Sequence, residues 1–451
     1  MTSREFFSND KIRAQALSDL AEIISIPSVA SSPDGIYPYG RECAIALDKA
    51  KELAEKYGFT VENHDYRCMS VLYGDSEKEV GIVCHLDVVP AGDGWSVDPF
   101  MLTVSDNLLI GRGTHDDKGP FIQSLYVLRY LKENNIKLPF TVRLILGSDE
   151  EVGCTDLDYF VSVRKPPMFS FTPDSEFPVC IGEKSILALS VEFGRLPDGI
   201  KEIKGGTVSN AVPGSAYAIV ETDKALPEAD GITVNGNRIE AKGKSAHAAM
   251  PEGGVSAINV LISYLIENGL ADKDGYFGLL EKATSEYLGK TLGIDETDKD
   301  FGYLTCVGGI ISTVDGSVVQ DFNIRHIPYT SYEEIAKTIE KTVAPYGGKV
   351  TVGMQSEGYF VNGDDAKIKA LTSAYERVIG EKCEPYTTGG GTYARHLPNT
   401  VAFGSAIPSE RSYFDSERGN AHQRDEYMSV KEFYLGMEIY SEALGNLSEI
   451  L

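Results

Sequence analysis

Gly81-Ile82-Val83-Cys84-His85-Leu86-Asp87 is an apolar run that stops abruptly on an imidazole and a carboxylate. Apolar runs of this length read as buried strands. The pattern recurs along the chain. Val142-Arg143-Leu144-Ile145-Leu146 leads to Glu150-Glu151, and Asp174 follows another apolar stretch in Phe171-Thr172-Pro173-Asp174-Ser175-Glu176. Asp116-Asp117 sits in Gly111-Arg112-Gly113-Thr114-His115-Asp116-Asp117-Lys118-Gly119-Pro120. Acidic residues and histidine gathered where buried strands end are costly unless something neutralises them. A pair of divalent metal ions accounts for that.

Outward from these strands, the first half of the chain alternates strand-like and helix-like segments. Leu17, Leu20 and Ile24 recur on one helix face over about Lys11 to Ile26, and Pro27 ends the pattern. A second helix is expected from Cys43 to Tyr57, stopping at Gly58. A third is expected from Pro120 to Lys132, with proline in its first turn and Phe121, Ile122, Leu125 and Leu128 toward a core. Such alternation predicts an α/β fold: a three-layer domain around a mostly parallel mixed sheet. The character changes near Lys184. After Asp364 a helix pattern returns (Ile368, Leu371, Tyr375, Val378, Ile379) and ends at Gly380, before a glycine-rich turn, Thr388-Gly389-Gly390-Gly391-Thr392. The expected organisation is a discontinuous domain of residues 1–184 and 364–451, interrupted by a large insertion over 185–363.

The 451 residues suffice for two sizeable cores. A formal net charge of -25 repels nucleic acid and anionic membrane surfaces. The seven cysteines are scattered, odd in number and lack a close Cys-x-x-Cys pair, which argues against a disulfide framework. Met1-Thr2-Ser3-Arg4-Glu5 has no signal-like apolar core, and no apolar run is long enough to span a bilayer. The expectation is a cytoplasmic protein with neither nucleic acid nor membrane as partner.

Each candidate residue has a chemical reason. His85 and Asp87, two apart on a strand, project to one face, so the imidazole can bind metal while a carboxylate holds or polarises it. Asp116 at a turn before a helix can bridge two cations with its two oxygens. Asp117 reads as a helix cap or as a residue that orients backbone. His115 points away from its neighbour Asp116 and reads as a non-ligand. Adjacent side chains diverge, so one of Glu150 and Glu151 can bind metal while the other works as a general base; Glu150 is assigned as base and Glu151 as ligand, although sequence alone also supports the reverse. Asp174 alone would be a turn residue. His247, among small residues in Gly243-Lys244-Ser245-Ala246-His247-Ala248-Ala249-Met250-Pro251, could donate to an oxyanion, with a structural histidine as the plainer alternative.

Together and in order, these motifs resemble the co-catalytic zinc metallopeptidases that include aminoacylases, acetylornithine and succinyl-diaminopimelate deacylases and carboxypeptidase G. The subfamily they look most like is the PepV-type bacterial dipeptidases, through His85-Leu86-Asp87-Val88-Val89-Pro90, the Gly-rich stretch ending in Asp116-Asp117-Lys118-Gly119-Pro120, Thr172-Pro173-Asp174-Ser175-Glu176-Phe177-Pro178 and Gly389-Gly390-Gly391-Thr392-Tyr393-Ala394-Arg395. The resemblance implies two zinc ions, with manganese or cobalt suited to the same ligands. One ion would take His85 and Asp174, the other Glu151 and His422, with Asp116 bridging; reading the residues alone does not separate His422 from His396. It implies Glu150 as base, Asp87 as the carboxylate behind the ligands and His247 as the oxyanion donor of a lid. Asn210, Arg325, Gly391 and Thr392 would bind substrate, Arg325 through its C-terminal carboxylate. The implied enzyme is a monomeric dipeptidase; the alternative is a deacylase of N-acyl amino acids.

Overall fold

The computed structural model describes residues 1–451 except 411–412 and 415–417. The chain divides into two compact units. The first comprises Met1–Ile181, Val361–Tyr386 and Thr392–Leu451, the second Gly182–Phe360 and Thr387–Gly391.

The first unit is built on β1 (Thr60–His64), β2 (Cys68–Tyr73), β3 (Glu79–His85), β4 (Thr141–Gly147) and β5 (Phe169–Thr172). Their spatial order is β1-β2-β4-β3-β5, continued by the strand Thr400–Ala402. β3 pairs in parallel with β4 and β5, and Thr400–Ala402 runs parallel to β5; β1 and β2 add antiparallel pairings at the flank. At the other flank Ala402 pairs antiparallel with Cys180, so the sheet is mixed, with its parallel pairings at the centre. Every residue of β4 is buried, as expected of a strand covered on both faces.

Alternation assigns the covering layers. Cys68, Val83 and Ile145 form one buried cluster with Leu157 and Phe160 of the helix α4 (Thr155–Val163) and with Tyr393. On the other face Cys84 meets Ser124 of the helix α3 (Lys118–Glu133), with 3.8 Å between Sγ and Oγ. Ahead of these in the chain, α1 (Asp10–Ile24) is capped by Asn9, whose side chain accepts from the N–H groups of Lys11 and Ile12; α2 (Arg41–Lys56) follows. The helix Val430–Ser448 closes against α3, its Gly436 facing Gln123.

α3 departs from the expected one-sided pattern. All its residues from Lys118 to Leu131 are buried, because it lies between the sheet and the C-terminal helix.

The second unit carries an eight-stranded antiparallel sheet. In chain order its strands are β6 (Ser185–Arg195), β7 (Ile200–Gly205), β8 (Ser215–Val220), β9 (Ile232–Asn235), β10 (Arg238–Lys242), β11 (Thr305–Val314), β12 (Ser317–His326) and β13 (Lys349–Ser356). The spatial order is β9-β10-β8-β7-β11-β12-β6-β13. Leu189, Ala218 and Ile324 from this sheet share one core with Leu261, Leu280 and Ile339 of the helices Ala257–Glu267, Tyr276–Ser285 and Tyr332–Val343.

No helix of the described residues is long and apolar enough to cross a membrane.

Candidate metal centre

Register decides where the chemistry collects. His85 at the end of β3 stands opposite Gly147 at the end of β4, so the segments leaving both strands start side by side. β5 ends at Thr172, just before Asp174. Parallel strands thus deliver His85, Asp87, Glu150, Glu151 and Asp174 to one sheet edge, the carboxyl edge where open α/β sheets bind ligands.

The ligand atoms form two groups. His85, Asp116 and Asp174 make the first, and Asp116, Glu151 and His422 the second; within each, the atoms lie within 4.8 Å of one another. His85 Nε2 is 2.8 Å from Asp116 Oδ1 and 3.8 Å from Asp174 Oδ2. His422 Nε2 is 3.0 Å from Asp116 Oδ2 and 3.0 Å from Glu151 Oε2. The two oxygens of Asp116 therefore face different groups. His396 instead sits 3.5 Å from Asp158 and belongs to neither group, and neither does His115.

Buried carboxylates hold these residues in place. His85 Nδ1 is 3.0 Å from the Asp87 carbonyl oxygen. The Asp87 carboxylate accepts the N–H of Glu150 at 3.3 Å and of Glu151 at 3.1 Å, so it anchors the backbone that carries both glutamates. Asp117 precedes α3 but makes no side-chain cap; its Oδ2 accepts the His85 N–H at 3.0 Å, the backbone-orienting alternative.

Two further carboxylates escaped the sequence reading. Asp156 accepts the N–H of Ser148 at 2.6 Å and of Asp149 at 3.1 Å, and the hydroxyl of Tyr393, whose ring packs edge-on to His85 with centroids 6.1 Å apart. Glu426 accepts from Arg112 and from backbone N–H groups of the Asp116 loop.

The electrostatics fit dications. Burial pushes the Glu150 carboxyl well above its ordinary range, and the charges of Glu151, Asp116 and Asp87 add to this against His85. Asp174 rises for the same first reason, with Asp116 and Glu150 adding. Glu151 is raised by burial and by Asp116. Burial also acts on Asp116, but hydrogen bonds from His422 and His85 outweigh it and hold this carboxyl low. Burial opposes charge on His422, yet hydrogen bonds to Asp116 and Glu151 push it up to about 11. His85 is raised against burial by Asp116 and Asp87. Two imidazoles thus face an excess of carboxylates, and this nitrogen and oxygen donor set suits zinc, manganese or cobalt.

Residues 81–446 match the family "Peptidase family M20/M25/M40". The chain belongs to that family. It is a peptidase, and so a hydrolase. The Staphylococcus saprophyticus protein named "Putative dipeptidase SSP1012" is 31% identical over 464 residues, covering 96% of this chain and 96% of that one. Among solved structures, the di-peptidase Dug1p from Saccharomyces cerevisiae aligns with a TM-score of 0.63 at 16% identity, over 99% of this chain and 98% of that one. Human carnosine dipeptidase 1 aligns with a TM-score of 0.61 at 16% identity, over 99% and 100%. At such identities the structural likeness speaks for the fold.

The remaining candidate residues lie mostly in the second unit. The segments carrying Asn210 and His247 run together: the Ala248 N–H donates to the Asn210 carbonyl at 2.9 Å, and Ala211 bridges His247. His247 and Asn210 are both exposed. His247 Nδ1 accepts the Ala249 N–H at 3.2 Å, which leaves Nε2 as the protonated nitrogen of a neutral ring. Arg325, nearly buried, donates from Nε to Asn323 at 2.9 Å and from a terminal nitrogen to the Gly389 carbonyl at 3.2 Å, two residues before Gly391. Thr392 belongs to the first unit, where its hydroxyl accepts the Ala394 N–H at 3.1 Å.

Proposed function

We propose that this chain is a metal-dependent dipeptidase. The observation that carries the reading is that Asp116 belongs to both ligand groups. Family membership and the dipeptidase names of its relatives support it.

His85 and Asp174 would hold one divalent ion and Glu151 and His422 the other, with Asp116 shared. The ions are zinc, with manganese or cobalt as substitutes. Two such ions would supply Lewis acidity, lowering the pKa of water and polarising the scissile carbonyl. Glu150 takes the proton of the attacking water and hands it to the leaving amine. Asp87 holds the backbone of Glu150 and Glu151 through their N–H groups. His247 donates from Nε2 to the oxyanion, a contribution of about 3–4 kcal/mol for comparable donors. Asn210, Gly391 and Thr392 contact the substrate, and Arg325 grips its C-terminal carboxylate. In this reading residues 1–184 and 364–451 are the catalytic domain, residues 185–363 are its lid, and the enzyme is a cytoplasmic monomer.

A panel of dipeptides, tripeptides and N-acetyl amino acids, offered to metal-replete protein with its metal content measured, tests this. Dipeptides should be cleaved at least about tenfold faster than the others. Preference for N-acetyl amino acids would replace the reading with a deacylase of the same chemistry. A metal-replete protein inert on every substrate would overturn it.

A further inference from the structure

Glu426 is a charged side chain with no exposure and no part in either ligand group. Its oxygens are fully engaged. Oε1 accepts the N–H groups of Gly113 at 3.0 Å, His115 at 2.9 Å and Asp116 at 3.1 Å; Oε2 accepts from Gly113 at 3.1 Å and from Arg112 at 2.7 Å. Its own carbonyl accepts the Gly111 N–H at 3.0 Å and the Thr114 hydroxyl at 3.3 Å. One residue thus dictates the path of the chain from Gly111 to Asp116. Charged acceptors make such bonds about twice as strong as neutral ones.

Glu426 also stands four residues after His422, on a turn closed by Gly419 N–H to the Arg424 carbonyl at 2.9 Å and Tyr427 N–H to the Gly419 carbonyl at 3.0 Å. Tyr427 pairs with Ile110, and Asp425 accepts the backbone N–H and hydroxyl of Ser96 at 2.7 and 2.9 Å. The turn is anchored on both sides of Glu426.

We propose that Glu426 is a positioning residue of the metal centre: it locks the loop that presents Asp116 to the turn that presents His422, and so fixes the separation of two ligands of one ion. This rests on the two-ion reading above. An alternative is that Glu426 only neutralises Arg112, which is 1% exposed and stacks over Trp95 at 5.2 Å. The two roles differ in what they move. A charge partner contributes stability alone, whereas a positioning residue contributes metal affinity.

Glu426→Gln leaves Arg112 buried without its charge, and unfolding of that variant is an expected hazard. Two companions remove it: Glu426→Asp, which keeps the charge but shortens the reach, and the double variant Arg112→Met/Glu426→Gln, which removes both charges. Folding is checked by circular dichroism and thermal melts. Zn²⁺ affinity is read by chelator competition, alongside kcat and KM. Wild type should take two ions. Folded variants should bind both ions more weakly, because Asp116 belongs to both groups, with the ion of Glu151 and His422 weakened most, about 10- to 100-fold, and with kcat lowered and KM little changed. Folded variants that bind both ions as wild type does would overturn the inference. A wild-type chain that saturates with a single ion would instead overturn the two-ion reading, and this inference with it.

Discussion

Glu150 and Glu151 are neighbours in the chain with different duties in the proposed centre. Glu150→Ala should keep both ions and lose turnover by about 10²- to 10⁴-fold, measured as kcat beside metal content; full activity would remove the base. Protons should move as well. Hydrogen bonds to Asp116 and Glu151 raise the His422 imidazole above its ordinary value, so an ion entering at neutral pH displaces a proton. Affinity should therefore rise with pH. Calorimetric titrations in buffers of different ionisation enthalpy should report proton release, and identical heats would contradict it. At this scale the sequence was informative where a candidate ligand ends or follows a strand, as His85, Glu151 and Asp174 do. It was silent on His422 against His396, because each lies in a loop with no local pattern to separate them; in the structure His396 lies beside Asp158 and His422 beside Asp116 and Glu151. Asp156 and Glu426 look like ordinary acids in the sequence. Glu426 meets the Asp116 N–H across 310 residues of chain, a distance no local pattern spans.

Elements were readable where apolar periodicity and chain breakers agree. The helix expected up to Ile379 runs from Ala366 to Ile379, and Gly380 ends it with φ 87°. β3 and β4 extend one or two residues beyond their apolar cores. α3 was harder, because a helix buried on every side shows no polar face to read. Leu125→Ala in α3, a fully buried position, should cost about 2–5 kcal/mol, measured by denaturant titration. The C-terminal helix offers an internal control. A Cβ on Gly436 would come 2.4 Å from Gln123 Nε2, whereas one on Gly445 meets nothing within 4 Å. Gly436→Ala should destabilise by about 1–3 kcal/mol, and Gly445→Ala should stabilise by about 0.5–1 kcal/mol. Equal effects in urea melts would contradict the packing of this helix on α3.

At the scale of the whole molecule, the mixed sheet followed from alternating segments and buried strands, while the antiparallel pairings at its flank came from β1 and β2, whose short apolar stretches say nothing of direction. The chain places all five proposed ligands in the first unit although they span residues 85 to 422. Folding of that unit and metal binding are consequently linked. Ions at about 100 times their Kd should add roughly 2.7 kcal/mol per independent site, seen as a rise in Tm that a chelator reverses. The proposed chemistry requires two dications that share Asp116. Anomalous diffraction from crystals grown with saturating Zn²⁺ locates them. Two peaks are expected, one beside His85 and Asp174 and one beside Glu151 and His422, with the Asp116 carboxylate between them. A single peak, or none, at those residues would contradict that chemistry.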